Sequence, residues 1–319
     1  MNFQEALRAF IRHLETEKLR SGETVRAYRA DLEDFRDYVQ RSQGIGRIDA
    51  LAEIDTFHVR GFIADRFGKI KKETIGRKLT AVRTFFRFLV REGVVPSNPT
   101  ARVKAPKGDQ PLPRSLSVDE VHRFFSRNSD MPVRDLAIFE LLYSSGLRVG
   151  ELTSLRVGDI DVDNGWVKVI GKGRKERYVP VGTKALEALR AYLPVRGMLE
   201  MQTGGLKSNG SLFLNHRGAP LSSRSVRRIL KRYLDVAALA RDASPHAFRH
   251  SFATHMLHGG ADLRSIQELL GHAGLSTTQR YTKADLGRLM AVYDRSHPRS
   301  GVADEGPDKG GGRADNVKR

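Results

Sequence analysis

The stretch "SPHAFRHSFATH", residues 244–255, decides how the rest of this chain is read. Serine followed by proline opens a helix: the serine suits the N-cap, and the fixed φ of proline suits the first turn. On that helix His246, Arg249 and His250 share one face, at i, i+3 and i+4. Two histidines four apart is the spacing of zincin metal ligands. Those sites carry a glutamate directly after the first histidine, where this chain has Ala247. An arginine between two candidate ligands also repels a cation. It suits an oxyanion better, because a planar guanidinium fork binds two oxygens while imidazoles donate beside it.

Downstream, "LGHAGLSTTQRYTKAD", residues 269–284, sets His272 after Gly271 and Tyr281 nine positions further on. Gly271 reads as a helix stop, and Ser276 as the cap of a following helix that carries Tyr281. Five of the ten histidines fall between positions 246 and 272. Upstream, in "YSSGLRVGELTSL", residues 143–155, Gly146 ends a helix whose apolar stripe includes Leu136, Phe139 and Leu142. A new helix starts near Val149. Arg148 therefore falls at a helix N-terminus, where unpaired N–H groups and the dipole favour an anion. Glu151, three residues on, is placed to orient it. In isolation, a surface Arg–Glu pair reads the same way.

Between these boxes lies "GWVKVIGKGRKERYVPV", residues 165–181. Alternating strands at 166–170 and 177–181 flank a Gly-Lys-Gly turn, which puts Lys172 at a hairpin tip. The spacing of a P-loop is absent, and this loop joins strand to strand, so ATP binding is not expected. A lysine on such a turn can reach into a groove and donate a proton.

Composition narrows the partner. The 319 residues carry 55 Lys+Arg against 37 Asp+Glu, a net charge of +18, and the pI is about 10.3. A fold does not need that excess, and self-repulsion opposes it. Attraction to a polyanion is its common use, with nucleic acid first and an anionic membrane surface behind it. The absence of cysteine excludes disulfides, thiolate zinc sites and Fe–S clusters. No apolar run approaches membrane-span length, and the N-terminus lacks a secretory h-region, so a cytoplasmic location without membrane partners is expected.

Residues 1–98 read as a helical module. Val25, Tyr28, Leu32, Phe35 and Val39 recur at helical spacing, as do Ile75, Leu79, Val82, Phe86 and Leu89. Arg77, Lys78, Arg83, Arg87 and Arg91 decorate the second of these helices, and Glu92 is the only acid between 75 and 104. That one-sign charge suggests phosphate contact. The proline-rich, basic residues 99–114 read as a linker. A mixed α/β domain with a small antiparallel sheet is expected over 115–297, opened by a Ser117–Glu120 capping box. The Gly-rich, charged residues 298–319 read as a disordered tail.

In order and spacing, "GLRVGEL", "GKGRKER", "HAFRHSFATH", "LLGH" and "STTQRYT" resemble the boxes of the tyrosine recombinase (phage integrase) family. The closing "VYDRSHPR" resembles its Xer subgroup, and the likeness extends to about residue 299. It implies a mainly α, two-domain DNA clamp: a helical core-binding domain followed by the catalytic domain. It implies a catalytic set of Arg148, Lys172, His246, Arg249, His272 and Tyr281, without metal or cofactor. The arginines would clamp the scissile phosphate with help from His272. Tyr281 would attack, Lys172 would protonate the leaving 5′-oxygen, and His246 would assist proton transfer. A homo- or hetero-tetramer on DNA, a sister Xer recombinase and the FtsK translocase are implied as partners, and chromosome-dimer resolution as the task. Two small departures are Phe248, where leucine is usual, and Lys283, where histidine is frequent. A type IB topoisomerase-like relaxase and a DNA-binding regulator without catalysis are the rival readings.

Overall fold

The computed structural model describes residues 1–16, 22–42, 51–106, 115–171, 176–205, 207–239, 244–271 and 282–300. Met1–Pro111 and Leu112–Arg319 form two compact units. Among the described residues the architecture is mainly helical, with one three-stranded antiparallel sheet.

The first unit contains α1 (Phe3–Thr16), α2 (Gly22–Ser42), α3 (Thr56–Arg66) and α4 (Lys72–Arg91). The two apolar stripes read from sequence lie in its core, together with buried residues of α1 and α3. Val25, Leu32, Phe35 and Val39 are buried on α2, with Tyr28 packed at the edge. Ile75, Leu79, Val82, Phe86 and Leu89 are buried on α4. Phenylalanine rings join the helices: Phe3 meets Phe85 at 5.3 Å, and Phe35 meets Phe62 edge-on at 5.2 Å. Such pairs add about 0.5–1.5 kcal/mol each beyond the area they bury. Gly93 (φ +70°) closes α4 in the left-handed region. The chain then returns to the same core, where Thr100 and Val103 are buried.

The basic face of α4 differs from its sequence reading. Arg77 and Lys78 turn onto Asp31 of α2, a carboxylate only 2% exposed, and Lys78 Nζ also lies 2.9 Å from Asp34. Arg66 of α3 adds a 2.6 Å contact to Asp34. Arg83 donates to the Val103 carbonyl at 2.7 Å, and Arg91 pairs with Glu92. Arg87 stays exposed. The acids that take up Arg77 and Lys78 sit on a different helix, so a scan along α4 alone does not find them.

The second unit runs α5 (Val118–Ser126), α6 (Val133–Ser145), α7 (Val149–Ser154), β1 (Ile160–Asp161), β2 (Trp166–Ile170), β3 (Glu176–Pro180), α8 (Thr183–Gln202), α9 (Ser223–Val236), α10 (Pro245–His258), α11 (Leu263–Leu270) and α12 (Lys283–Ser296). The capping box at Ser117 is present: Glu120 N–H donates to Ser117 Oγ, and Ser117 N–H to Glu120 Oε2. Every residue of α6 from Ala137 to Ser145 is buried, as suits a helix enclosed on all sides by α8, α10 and the sheet. The hairpin pairs Val167 with Val179 and Val169 with Arg177. A third strand, β1, joins β2 through Ile160↔Val167 and Asp161↔Trp166. Two residues are too few to show an alternation, which is why the sequence reading lacks it.

Residues 298–300, read from sequence as the start of the tail, are packed. Arg299 pairs with Glu140 at 2.5 Å, and the Ser300 carbonyl accepts from Thr183. No helix among the described residues is long and apolar enough to cross a membrane.

Candidate active site

The "GLRVGEL" box folds as the sequence suggests. Gly146 caps α6 at φ +57°, a left-handed position that a Cβ would strain, and that Cβ would also strike Phe252 at 2.6 Å. Arg148 is the N-cap of α7. Glu151 accepts from the Arg148 backbone N–H at 2.8 Å and from its guanidinium at 2.9 Å. The carboxylate thus fixes both the helix start and the side chain it carries.

The "SPHAFRH" box begins α10 with Ser244 at the N-cap and Pro245 in the first turn, although the serine side chain makes no cap bond. Arg249 is 9% exposed, whereas His246 and His250 on the same side of the helix are exposed. The Arg249 fork spans two helix ends: Nη1 donates to the Gly146 carbonyl at 2.7 Å and Nη2 to the Leu270 carbonyl at 2.6 Å. Leu270 is the last residue of α11, which Gly271 caps at φ +66°. A C-terminal helix end carries unpaired carbonyls and a partial negative charge, so two of them hold a buried cation without cancelling it. Burial, then the neighbouring Arg148 charge, lower the Arg249 pKa to about 10, which leaves it charged at neutral pH. Its Nη1 lies 3.9 Å from Glu151, so Arg148 and Arg249 converge on one carboxylate.

His246 sits beside this cluster. Burial first, then Arg227, Arg249 and Arg148, push its pKa below the usual imidazole value and favour the neutral ring. Neutral imidazole can accept a proton, which the protonated ring cannot. His255, on the same helix, has a structural place: it is buried, and its Nδ1 is 2.8 Å from the Tyr143 hydroxyl. Among the described residues no group of three His, Asp or Glu side chains is arranged to hold a metal ion. Phe248, the departure from the usual leucine, fills a fully buried slot between Phe124 and Phe139.

Lys172, His272 and Tyr281 lie outside the described residues. The helix read from Ser276 through Tyr281 lies there too. The residue after Tyr281, Thr282, caps α12, with Asp285 completing a capping box.

One residue was missed in the sequence. Arg177 on β3 is 6% exposed and places both guanidinium nitrogens 3.0 Å from the two Glu151 oxygens, while its Nε donates to the Leu269 carbonyl at 2.9 Å. Its signal was an arginine at an inward position of an alternating strand, in phase with Val179. Burial alone would raise the Glu151 pKa, but the bonds and charge of Arg177, then those of Arg148, hold it below the usual carboxylate value.

Residues 114–288 match the phage integrase family, and residues 7–93 match the phage integrase N-terminal SAM-like domain. Tyrosine recombinase XerC of Pelobacter propionicus is 46% identical over 300 residues, 93% of this chain and 96% of its own length. XerC of Thermodesulfovibrio yellowstonii is 43% identical, covering 94% and 98%. These relatives bear out the Xer likeness of "VYDRSHPR". A lambda integrase fragment, solved as a dimer bound to a COC′ core site, has a TM-score of 0.63 at 20% identity, covering 89% of this chain and 98% of that one. XerH in a post-cleavage complex with a palindromic difH substrate also scores 0.63, at 23% identity, covering 85% and 79%. Both likenesses are of fold. With the family match spanning more than half of its length and the relatives nearly all of it, this chain belongs to the phage integrase family.

Proposed function

We propose that this chain is a site-specific recombinase that cuts and rejoins double-stranded DNA through a covalent tyrosyl intermediate. The observation that carries the reading is the Arg148–Arg249 pair. Two guanidiniums converge on Glu151, and one of them is held by backbone carbonyls that leave its charge intact. Such a pair suits a phosphodiester, whose transfer asks mainly for positioning and charge neutralisation.

The roles follow the order of the boxes. Arg148 and Arg249 neutralise the scissile phosphate, and His272 adds a hydrogen bond. The Tyr281 oxygen attacks phosphorus as its proton passes to a base, for which His246, kept neutral by burial and then by its cationic neighbours, is suited. The bond from phosphorus to the 5′-oxygen breaks, and Lys172 gives that oxygen a proton. The products are a 3′-phosphotyrosyl enzyme and a free 5′-hydroxyl. Attack by another 5′-hydroxyl reverses the step and releases Tyr281. One phosphodiester is exchanged for another at each stage, so no external energy source is required.

The first unit supplies DNA affinity and the second the chemistry. By likeness to the XerC relatives, the chain works in the cytoplasm as a tetramer on two duplexes, with a sister recombinase or further copies of itself, to resolve chromosome dimers under control of an FtsK-type translocase. The test is to incubate the protein with sheared genomic DNA of its source, capture DNA that stays bound after denaturation, and sequence the attached ends. One recurrent site, linked through its 3′ end and lost in Tyr281→Phe, is expected with or without chelator. An adduct that persists in Tyr281→Phe removes the proposed nucleophile, and no adduct with the unaltered protein removes the proposed activity.

A further inference from the structure

We propose that Arg177 is a positioning residue for cleavage: it takes up the Glu151 charge so that Arg148 and Arg249 remain available to the phosphate. This rests on the activity proposed above.

Glu151 is a single buried carboxylate facing three guanidiniums. Arg177 engages both of its oxygens at 3.0 Å, Arg148 engages one at 2.9 Å, and Arg249 stands at 3.9 Å. A bidentate fork is the strongest form of this contact. Arg177 satisfies the carboxylate from behind, on the sheet side, and buries itself in doing so. It is 6% exposed, whereas the Arg148 side chain is 42% exposed and open to a ligand. Without Arg177, the remaining demand of the Glu151 oxygens falls on the two arginines that face the phosphate. A buried carboxylate that has lost its main partner draws in whatever cation is nearest.

The same side chain links three boxes. It rises from β3, the strand that follows Lys172 in the chain. It grips Glu151 of the first arginine box. Its Nε holds the Leu269 carbonyl, one residue before the Leu270 carbonyl that orients Arg249. The fit is close: a Cβ on Gly271 would come within 3.0–3.2 Å of Arg177 Cδ, Nε and Cζ. Arg177 thereby registers β3, Arg148 and Arg249 against one another through one ion pair and one carbonyl contact.

The test combines Arg177→Met, Arg177→Lys, Glu151→Gln and the double Arg177→Met/Glu151→Gln. Each is measured for covalent adduct formation under single turnover, at saturating protein, on a nicked duplex of the captured site. Arg177→Met is expected to slow adduct formation about 30- to 100-fold while DNA affinity changes less than about three-fold. Arg177→Lys, which keeps the charge but not the fork, should recover part of the rate. The double variant should be at least about ten-fold faster than the product of the two single losses, because the neutral amide no longer recruits the phosphate arginines. Losses that simply multiply overturn the proposal, leaving Arg177 a strand anchor. A second measurement needs no DNA: the Glu151 carboxyl, followed by 13C resonance, should titrate at higher pH in Arg177→Met than in the unaltered protein. An unchanged titration also overturns it. If the unaltered protein forms no adduct, the proposed activity fails, and the carboxyl titration alone decides the role of Arg177.

Discussion

The α2–α4 seam and the arginine cluster of the second unit are both rich in cations, yet they use them in opposite ways. On the seam, Arg66, Arg77 and Lys78 are each paired with Asp31 or Asp34, and the two carboxylates offset two of the three charges. In the cluster, Arg249 is fixed by the Gly146 and Leu270 carbonyls, and three arginines share one carboxylate. A carboxylate partner removes a charge from use, whereas a helix C-terminus fixes its position and leaves it. A high net charge therefore says little about where the field is felt; the partner of each cation decides that.

The largest effect that would break this contrast is at Arg249. In Arg249→Lys one ammonium replaces a fork that spans two carbonyls and cannot keep both while facing a phosphate. Single-turnover adduct formation should fall about 10²- to 10³-fold with DNA binding retained. A rate near that of the unaltered protein would mean the carbonyl-held cation is only structural.

Next is the seam. Asp31→Ala strips Arg77 and Lys78 of a buried partner. Because the Arg77 side chain is half exposed and can turn to water, the cost should be about 2 kcal/mol, below the range for fully buried pairs. Urea unfolding of the first unit, followed by far-UV circular dichroism, reads it. No loss would mean that the seam ion pairs are incidental.

A third case, burial without a charge partner, sharpens the contrast. His297 is 1% exposed among Tyr143, Tyr293 and Phe252, and burial, with smaller contributions from His255 and Arg299, lowers its pKa to about 3. The folded value lies below the unfolded one, near 6.5. Its stabilising contribution is therefore present above pH 6.5 and is lost as pH falls toward 3. Between pH 6.5 and 5 it should cost about 2 kcal/mol. Glu140, pushed up to about 7 by burial, has the opposite slope between 4.5 and 7. The comparison is thus with His297→Phe, whose stability should fall less on acidification. Parallel curves would remove His297 as the cause.

The smallest effect is at Asp34. Asp34→Asn releases Arg66 and Lys78 from one of their acids. The salt dependence of DNA binding should steepen by about one unit of slope if either cation then reaches a phosphate. An unchanged slope would show that both remain committed inside the seam.

Much of the second unit was legible. The glycine stops at 146 and 271, proline in the first turn of α10, the Ser117 cap and the hairpin strands are local features, each set by a few neighbouring residues. The pairing of Arg148 with Glu151 was legible for the same reason, because three residues on a helix start bring them together. Arg177 was not, since its partners Glu151 and Leu269 are 26 and 92 positions away. The internal pairing of Arg77 and Lys78 was not legible either, because their shared acid, Asp31, lies 46 and 47 positions upstream of them.

The sequence by itself determined the family boxes, their order, the helical periodicities and the net charge, because each is written in residue types and short spacings. Only the tertiary structure decided which cations meet acids distant in the chain and which are kept by carbonyls. That choice depends on groups far apart in the chain meeting in a buried place, where a charge must find a partner and the kind of partner sets what the charge can still do.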